Sequence, residues 1–329
     1  MAKWIKRVAI GLAGLLLVIG LGLAVFRTPD TDPTAMRAKY GASPSQFVDL
    51  GGGLTVHLRD EGPRDAPVVV LLHGSNADLH TWTPWVRALG RDTRTIRFDQ
   101  IGHGLTGPAP DGDYSTAAFV RTIEQVVTRL GVERFVLAGN SMGGGIALDY
   151  ALAHPERLDG LVLVDAGGAP PQGQPKGNLG FSIARNPVLG TVFARVTPRA
   201  LIERSLRQSV VNQAVVTPAA VDRYWELLRY PGNRAATFAR FAQPRRSLTR
   251  ERLADLRVPT LILWGERDGL IPVAAGRWLH KAIPGSRLIV YPGIGHLPME
   301  EAADRTSADL RAGLATDRAR ERPRARLRP

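Results

Sequence analysis

The apolar positions divide the chain into an N-terminal apolar run, a polar stretch and a long alternating part that begins at Phe47. From Phe47 onward, short runs rich in valine, isoleucine and leucine alternate with stretches whose apolar residues recur at helical spacing. Short, continuously apolar runs are typical of strands buried on both faces. The pattern predicts strands at residues 47–50, 54–59, 68–72, 94–99, 134–138, 161–165, 260–264 and 287–291.

Helical spacing between these strands predicts helices at residues 80–89, 116–130, 142–153, 272–283 and 297–310. Strands that alternate with helices are typical of an α/β domain with a mostly parallel central sheet and helices on both faces. We expect that architecture for the globular part of the chain.

Residues 167–255 break this alternation. The segment is rich in proline, glycine and arginine, and it then carries helical patches at 221–228 and 235–241. Long insertions between core elements commonly form lids or binding surfaces. We predict that this segment is an inserted helical cap.

The N-terminal run from Val8 to Phe26 is 19 residues long and carries no charge. As a helix it would span roughly 28 Å, close to the hydrocarbon thickness of a bilayer. Lys3, Lys6 and Arg7 precede it, which favours a cytoplasmic N-terminus and an exported catalytic domain. A cleaved signal peptide with a secreted product is the alternative, but the run exceeds the usual signal core and lacks a small-residue cleavage site.

These boundaries predict a membrane anchor at 1–27, a linker at 28–45, core at 46–166, cap at 167–255, core at 256–311 and a disordered basic tail at 312–329. The linker is assigned because it is polar and contains Pro29, Pro33 and Pro44. The tail carries six arginines against Asp317 and Glu321.

Composition excludes some classes of site. The 329 residues include no cysteine, so disulfides, zinc–thiolate centres and cysteine nucleophiles are excluded. The formal charge of +13 is concentrated at the two ends, and the central part carries an ordinary +5. Since no nucleic-acid motif accompanies it, we expect no nucleic-acid partner.

The segment Gly139-Asn140-Ser141-Met142-Gly143 follows a predicted strand and precedes a predicted helix. A serine on such a sharp strand-to-helix turn is the geometry of a nucleophile elbow, and the glycines two residues away avoid a backbone clash. Within this context the motif predicts Ser141 as a nucleophile.

A serine nucleophile needs a base, and the base needs an acid that orients it. His296 lies in a loop after the last predicted strand, and Asp268 lies just beyond the preceding one. We predict that His296 is the base and Asp268 the orienting acid. Asp165, at the end of the strand at 161–165, and Glu266 remain alternatives for the acid.

The reaction also requires two donors for the developing oxyanion. One is expected to be the backbone N–H of Met142, at the start of the helix. The second is expected to be the backbone N–H of Ser75, in the loop that follows the strand at 68–72. His73, in the same loop, is expected to have a structural role.

The remaining expectations concern ligands. No cluster of histidine and acidic residues has metal-ligand spacing, so no metal or other cofactor is expected. Substrate contacts are expected from Asn140, Trp225, Phe238 and Leu297. Further aromatic and apolar candidates in the cap are Phe181, Val192, Phe193, Tyr224, Leu228 and Phe241.

Together these motifs resemble the α/β-hydrolase superfamily, in its serine-nucleophile branch with an inserted cap. The resemblance covers roughly residues 47–309 apart from the cap, and it rests on His73-Gly74, Asp99-Gln100-Ile101-Gly102-His103-Gly104, the elbow, Trp264-Gly265-Glu266-Arg267-Asp268 and Gly295-His296. It implies the α/β-hydrolase fold and hydrolysis of a small-molecule ester through an acyl-enzyme.

Within the superfamily, the nucleophile separates subclasses. Haloalkane dehalogenases and epoxide hydrolases carry an aspartate at the elbow, where this chain has Ser141. The elbow is similar to that of carbon–carbon bond hydrolases of ring-cleavage products, which usually have a tryptophan after the catalytic histidine, whereas Leu297 follows His296 here. A carboxylic esterase is therefore the leading hypothesis, and a carbon–carbon bond hydrolase is the alternative.

Two hypotheses from other classes remain. One is a non-catalytic binding protein on the same fold, which a reactive serine with sustained turnover would reject. The other is a membrane scaffold that recruits partners through the anchor and the basic tail. The sequence indicates neither the oligomeric state nor the substrate.

Overall fold

The structure is a computed structural model that describes residues 1, 4, 6–7, 10–11, 14, 20, 22, 25–173, 182–183, 186, 190, 192–243 and 248–321. Its centre is an eight-stranded sheet in the order β1-β2-β4-β3-β5-β6-β7-β8. The strands are β1 Ser45–Asp49, β2 Thr55–Glu61, β3 Val68–Leu72, β4 Arg94–Phe98, β5 Phe135–Asn140, β6 Leu158–Val164, β7 Thr260–Gly265 and β8 Arg287–Tyr291. Each lies where the sequence predicts a strand.

Strands β3 to β8 run parallel to one another, whereas β1 and β2 join the sheet in antiparallel pairs. In a parallel sheet the carboxyl ends of the strands meet at one edge, where ligands of α/β folds usually bind. The loops after β3, β5, β6, β7 and β8 therefore converge, and these are the loops that carry the predicted site residues.

Helices cover both faces of this sheet. The core helices are α1 Pro33–Tyr40, α2 Thr83–Leu89, α3 Thr116–Arg129, α4 Met142–Ala153, α9 Val273–Ala282, α10 Pro298–Glu301 and α11 Ala303–Glu321. Residues of α3, α4 and α9 pack on one face, and Trp85 of α2 and Leu310 of α11 pack on the other. The mostly parallel sheet between two helical layers confirms the predicted architecture.

Two predicted helices differ in detail. The one at 80–89 begins as a 3-10 turn at Leu79–Trp82 before α2. The one at 297–310 is divided into α10 and α11 at Ala302, whose backbone leaves the helical region with φ −140°. The break lets Thr306 accept a hydrogen bond of 2.8 Å from the indole of Trp85, which fixes α11 against α2.

The predicted linker at 28–45 is not irregular, because it contains α1 and the start of β1. The Asp32 side chain accepts a 2.7 Å hydrogen bond from the Ala35 N–H, and Pro33 occupies the first turn, where a missing N–H costs nothing. The helix is held from outside as well, since Lys39 and Tyr40 both bind Glu226. Pro33 therefore starts a helix here instead of preventing one.

The predicted disordered tail at 312–329 is also partly ordered. Helix α11 continues to Glu321, and of this predicted tail residues 322–329 lie outside the described part of the chain. Four helices, α5 Arg199–Ser209, α6 Pro218–Leu228, α7 Asn233–Ala242 and α8 Arg250–Ala254, lie between β6 and β7, within the segment predicted as the cap.

Among the described residues, no helix combines the length and the apolar character needed to cross a bilayer. The predicted anchor from Val8 to Phe26 lies for the most part outside those residues.

Candidate active site

Ser141 occupies the sharp turn between β5 and α4. Its backbone has φ +54° and ψ −116°, a region that residues with a side chain rarely adopt. The turn is fixed by the Ser141 backbone oxygen, which accepts hydrogen bonds from the N–H groups of Gly144, Gly145 and Gly167. Strain of this kind at a non-glycine residue is common where a reactive side chain must be displayed.

The glycines on either side of Ser141 are required by packing. A Cβ atom at Gly139 would overlap the backbone of Gly143, and one at Gly143 would overlap the backbone oxygen of Leu72. The elbow is thus wedged between its own strand and β3, which confirms the expectation that these two positions must be small.

His296 lies in the loop after β8 and is 4% exposed. Its backbone N–H donates to the Ser209 backbone oxygen at 2.8 Å, and its Nδ1 lies 2.7 Å from Asp268 Oδ2. Because a carboxylate accepts the Nδ1 proton, Nε2 is left as the nitrogen that can receive a proton. The ring is therefore held in the tautomer that a general base requires.

Asp268 is itself fixed by the backbone. Its Oδ1 accepts hydrogen bonds from the N–H groups of Leu270 at 2.7 Å and Ile271 at 3.0 Å. Three hydrogen bonds, from Leu270, Ile271 and His296, thus hold the Asp268 carboxylate in place. Glu266 instead accepts from the exposed Gly293 N–H, and among the described residues Asp268 is the only candidate acid that forms a hydrogen bond with His296.

Ser141 and His296 line the same open cavity. Ser75, Asn140 and Leu297, three of the predicted site residues, also line it. The cap contributes Phe193, Ile202, Ser205, Leu206, Ser209, Tyr224 and Leu228. The structure therefore brings the predicted nucleophile and base together beneath the cap.

Asn140 holds the two halves of this site together. Its side-chain amide donates to the backbone oxygens of Val164 and His296, at 3.1 and 3.2 Å. These two hydrogen bonds link β5 to β6 and to the histidine loop. The side chain is 1% exposed, so water does not compete for them.

Two residues expected to contact substrate lie elsewhere. Trp225 donates its indole N–H to the Thr197 backbone oxygen, and Phe238 packs edge to face on Phe193. Neither is among the described residues that line the cavity, so both stabilise the cap from within. The candidate Phe181 lies outside the described residues, and Val192 is 41% exposed.

The loop predicted to carry the second oxyanion donor passes directly beside the nucleophile. A Cβ atom at Gly74 would lie 3.2 Å from the Ser141 Cβ. His73 is fully buried, accepts the Gln100 N–H at 3.0 Å through Nε2, and approaches the Gly74 backbone oxygen at 2.8 Å through Nδ1. These bonds fix the loop and agree with the structural role expected for His73.

Arg240 of α7 was not singled out by the sequence, yet it contacts both segments predicted to supply oxyanion donors. Its guanidinium donates to Ser75 Oγ at 2.8 Å and to Asn76 Oδ1 at 2.7 Å, and it contacts the Met142 sulfur at 3.3 Å. No aspartate or glutamate of the described chain pairs with it. Burial lowers the pKa of Arg240 to about 9, so the group remains a cation at neutral pH. The sequence feature that could have identified Arg240 is its position as the one charged residue within the apolar helical patch 235–241.

We expect Arg240→Gln to lower kcat about tenfold, because the variant loses a positive charge beside the site where the oxyanion forms. KM should change less than threefold, since Arg240 is not among the residues that line the cavity. Steady-state kinetics on an ester measure both constants. Arg234→Gln is the matched control on the same helix, because Arg234 pairs with Asp30 instead of the oxyanion loop. Equal losses in the two variants would contradict a specific effect of Arg240.

Asp165 follows β6 and approaches the back of the Asp268 carboxylate. Asp165, Asp268 and His296 each offer one potential ligand atom, and these atoms lie within 4.8 Å of one another. A metal ion could fit such a group, but His296 already directs Nδ1 at Asp268. Burial, followed by the neighbouring Asp268 carboxylate, raises the pKa of Asp165 well above its ordinary value.

Comparison with known proteins gives an independent view of the same residues. The family model described as the alpha/beta hydrolase fold matches residues 67–303, which include the elbow, the cap and the histidine loop. The chain is 27% identical over 273 residues to 2-hydroxy-6-oxononadienedioate/2-hydroxy-6-oxononatrienedioate hydrolase of Comamonas testosteroni, covering 79% of this chain and 92% of the relative.

Two solved structures are similar along nearly their whole length. A membrane phospholipase A, described as a bacterial virulence factor, superposes with a TM-score of 0.74 at 26% identity and covers 95% of this chain and 99% of its own. A thermophilic esterase from Thermogutta terrifontis superposes with a TM-score of 0.69 at 25% identity, covering 84% and 99%.

Proposed function

Because the chain belongs to the alpha/beta hydrolase fold family, we propose that it is a serine hydrolase that cleaves carboxylic esters through an acyl-enzyme. The observation that carries the proposal is the shared cavity of Ser141 and His296, with His296 Nδ1 hydrogen-bonded to Asp268. A nucleophile on a strained turn, a base in a fixed tautomer and a buried acid are the parts that acyl transfer requires.

In the proposed reaction, His296 Nε2 takes the Ser141 hydroxyl proton as Oγ attacks the ester carbonyl. The backbone N–H groups of Met142 and Ser75 are proposed to bind the resulting oxyanion. As the tetrahedral intermediate collapses, the imidazolium gives its proton to the departing alcohol. Water then attacks the acyl-enzyme, with His296 accepting its proton, and the acid leaves as Ser141 is regenerated.

The cavity favours an apolar acyl group. None of the described residues that line it is a lysine or an arginine, and the apolar ones include Phe193, Ile202, Leu206, Leu228, Leu270 and Leu297. We propose that the substrate is an ester with a hydrophobic acyl chain.

Carbon–carbon bond cleavage of a ring-cleavage product is the second candidate. The Comamonas testosteroni relative, which is named for dioate substrates, and the Gly-Asn-Ser-Met-Gly elbow favour it. A carboxylate substrate would, however, enter a cavity whose described lining carries no lysine or arginine, and the buried guanidinium of Arg240 already donates to Ser75 and Asn76. Ester hydrolysis places an uncharged acyl chain there and avoids the cost of an unpaired buried charge.

One experiment separates the two candidates. The purified enzyme is assayed with p-nitrophenyl esters of increasing acyl length and with a 2-hydroxy-6-oxodienoate. We expect kcat/KM to rise by about tenfold from the acetate to the butanoate, since two further buried methylenes contribute about 1.6 kcal/mol at about 0.8 kcal/mol each. The dienoate should turn over at least 100-fold less efficiently. A preference for the dienoate would favour the second candidate instead.

We also propose that the apolar run from Val8 to Phe26 anchors the chain in a membrane, with the catalytic domain exported. The run, its flanking lysines and the similarity to a membrane phospholipase A support this. The residues that follow the run lie against the cap: the Thr28 N–H donates to the Arg195 backbone oxygen, and Arg234 binds both the Thr28 oxygen and Asp30. An anchor would therefore hold the cap near the lipid surface, where acyl esters are abundant.

Membrane attachment is tested by fractionation of cells that express the full chain. We expect the protein to sediment with membranes, to resist carbonate washing and to dissolve in detergent. A variant with Leu16→Arg and Leu17→Arg should lose this attachment, because arginines in the middle of a span are strongly unfavourable. Recovery of the unmodified protein in the carbonate-soluble fraction would contradict the proposal.

A further inference from the structure

Asp165 is a buried acid that the proposed reaction leaves without a role. It is 0% exposed and follows β6 at the sheet edge where the site is built. Its backbone adopts φ +45°, in the left-handed region that a residue with a side chain seldom enters. The neighbouring backbone is fixed, since the Asp165 N–H donates to the Leu263 backbone oxygen at 3.0 Å. A strained backbone at a buried polar residue indicates a position that the surrounding structure determines.

The hydrogen bonds of the two neighbouring acids are unequal. Asp268 accepts from His296, Leu270 and Ile271. Asp165 accepts only one described bond, from the Gly265 N–H to Oδ1 at 3.0 Å, and its Oδ2 is buried without a donor. Two buried carboxylates whose oxygens lie within 4.8 Å each disfavour the charge of the other. Asp268 has three hydrogen-bond donors and Asp165 has one, so this geometry points to Asp165 as the acid that holds the proton.

A protonated Asp165 then needs an acceptor for its hydroxyl. The Asp268 carboxylate lies within the same 4.8 Å group and is an acceptor close enough to receive it. Among the described residues, Glu301 is a further acid near this pair, and its carboxylate accepts the Gly295, Val211 and Asn212 N–H groups. The Glu301 carboxylate is itself an acceptor in these bonds, so it is not a donor to Asp165 Oδ2.

We propose that Asp165 is a neutral carboxylic acid that donates a hydrogen bond from Oδ2 to Asp268 and so positions the triad acid behind His296. This inference rests on the proposed function, and Asp165 is a positioning residue because it acts through Asp268. A donor at this place restrains the Asp268 carboxylate in the plane of the imidazole. It also withdraws charge from the carboxylate, which weakens the attraction of Asp268 for a proton on His296.

The state of Asp165 is tested by its variants and the pH dependence of Ser141 labelling by a fluorophosphonate, in full-length protein in detergent. Asp165→Asn keeps a neutral donor, so its labelling rate should stay within about threefold and its acidic midpoint should not move. Asp165→Ala removes the donor, so its rate should fall roughly tenfold. Its acidic midpoint should move to higher pH, because the freed Asp268 carboxylate holds the His296 proton more strongly.

An ionised Asp165 makes the opposite prediction. Both variants would then remove a negative charge near His296, and both acidic midpoints would move to lower pH. That shift, or an unchanged midpoint in Asp165→Ala, would overturn the proposal. Asp159→Asn, at the other end of β6 and paired with the exposed Arg134, is the matched control and should behave as the wild type. An unlabelled wild type would instead reject the proposed function itself.

Thermal unfolding gives a readout that does not depend on catalysis. The pKa of Asp165 is raised in the folded chain, so the native state binds a proton that the unfolded state releases above about pH 4. The stability of the wild type therefore declines as pH rises above that value, whereas Asp165→Asn has no such proton to bind. We expect the Tm of Asp165→Asn minus that of the wild type to increase by a few degrees from pH 5 to pH 8. A difference that stays constant or shrinks would contradict a neutral Asp165.

Discussion

Ser141→Ala should lower the hydrolysis of a short p-nitrophenyl ester by on the order of 10⁴-fold or more, because no other group can form the acyl-enzyme. The fold should persist. Alanine fits the space of serine, and the contacts that hold the elbow are made by the Ser141 backbone and by Gly139 and Gly143. The Tm should therefore stay within about 2 °C of the wild type, as for most substitutions that remove no buried contact.

A second serine provides the control for this variant. Ser286 is 8% exposed, and its hydroxyl contacts nearby residues far from Ser141 in the sheet: the Ile283 and His280 backbone oxygens and the His280 ring Nδ1. Ser286→Ala should leave kcat/KM within about twofold, although it removes buried hydrogen bonds that cost stability. Retention of ester hydrolysis in Ser141→Ala, measured on protein free of host esterases, would reject the assignment of the nucleophile.

Asp268→Asn should lower kcat by about 10³- to 10⁴-fold, the range seen when the acid of a serine triad is replaced by its amide. The Asn side chain presents either a neutral oxygen or an N–H to His296 Nδ1. In the first case the imidazolium loses its counter-charge, and in the second the ring is driven into the wrong tautomer. KM should change little, because Asp268 is not among the described residues that line the cavity.

Glu266→Gln is the matched control for Asp268→Asn. Glu266 lies two residues away in the same loop, but its carboxylate faces the exposed Gly293 N–H at 3.2 Å. Activity within about threefold of the wild type is expected, as for the loss of one exposed hydrogen bond. The order of the three carboxamide variants is therefore informative: Asp268→Asn should be severely impaired, and Asp165→Asn and Glu266→Gln should not. Greater impairment of Asp165→Asn would make Asp165 the orienting acid.

The parts of the fold that follow local rules could be predicted from the sequence. Strand β3 is a continuously apolar run and β5 and β7 have apolar interiors, a pattern typical of strands buried on both faces of a sheet. The elbow was evident because its small residues are required by backbone contact, as at Gly143 against Leu72. The loops after β3, β5 and β8 follow parallel strands, whose carboxyl ends lie at the same edge of the sheet. This placed Ser141 and His296 in one cavity.

What the sequence left undetermined depends on partners distant along the chain. Helix α1 forms where prolines suggested a linker, because Met36 packs with Leu105, Leu227 and Tyr230. Trp225, Phe238 and Phe193 are all aromatic residues of the cap, but of these three only Phe193 lines the cavity. Helix periodicity does not distinguish the two faces of a cap that is apolar on both. The charge state of Asp165 depends on how close Asp268 comes, which no local pattern records.

The central claim is that Ser141 is a nucleophile activated by His296, and covalent labelling tests it most directly. The wild type, Ser141→Ala and His296→Ala are incubated with a fluorophosphonate, and the modified peptide is identified by mass spectrometry. We predict one adduct, on the peptide that contains Ser141, which is absent from Ser141→Ala and at least 100-fold slower to form in His296→Ala. An adduct that persists in Ser141→Ala, or labelling of equal rate without the imidazole of His296, would contradict the account.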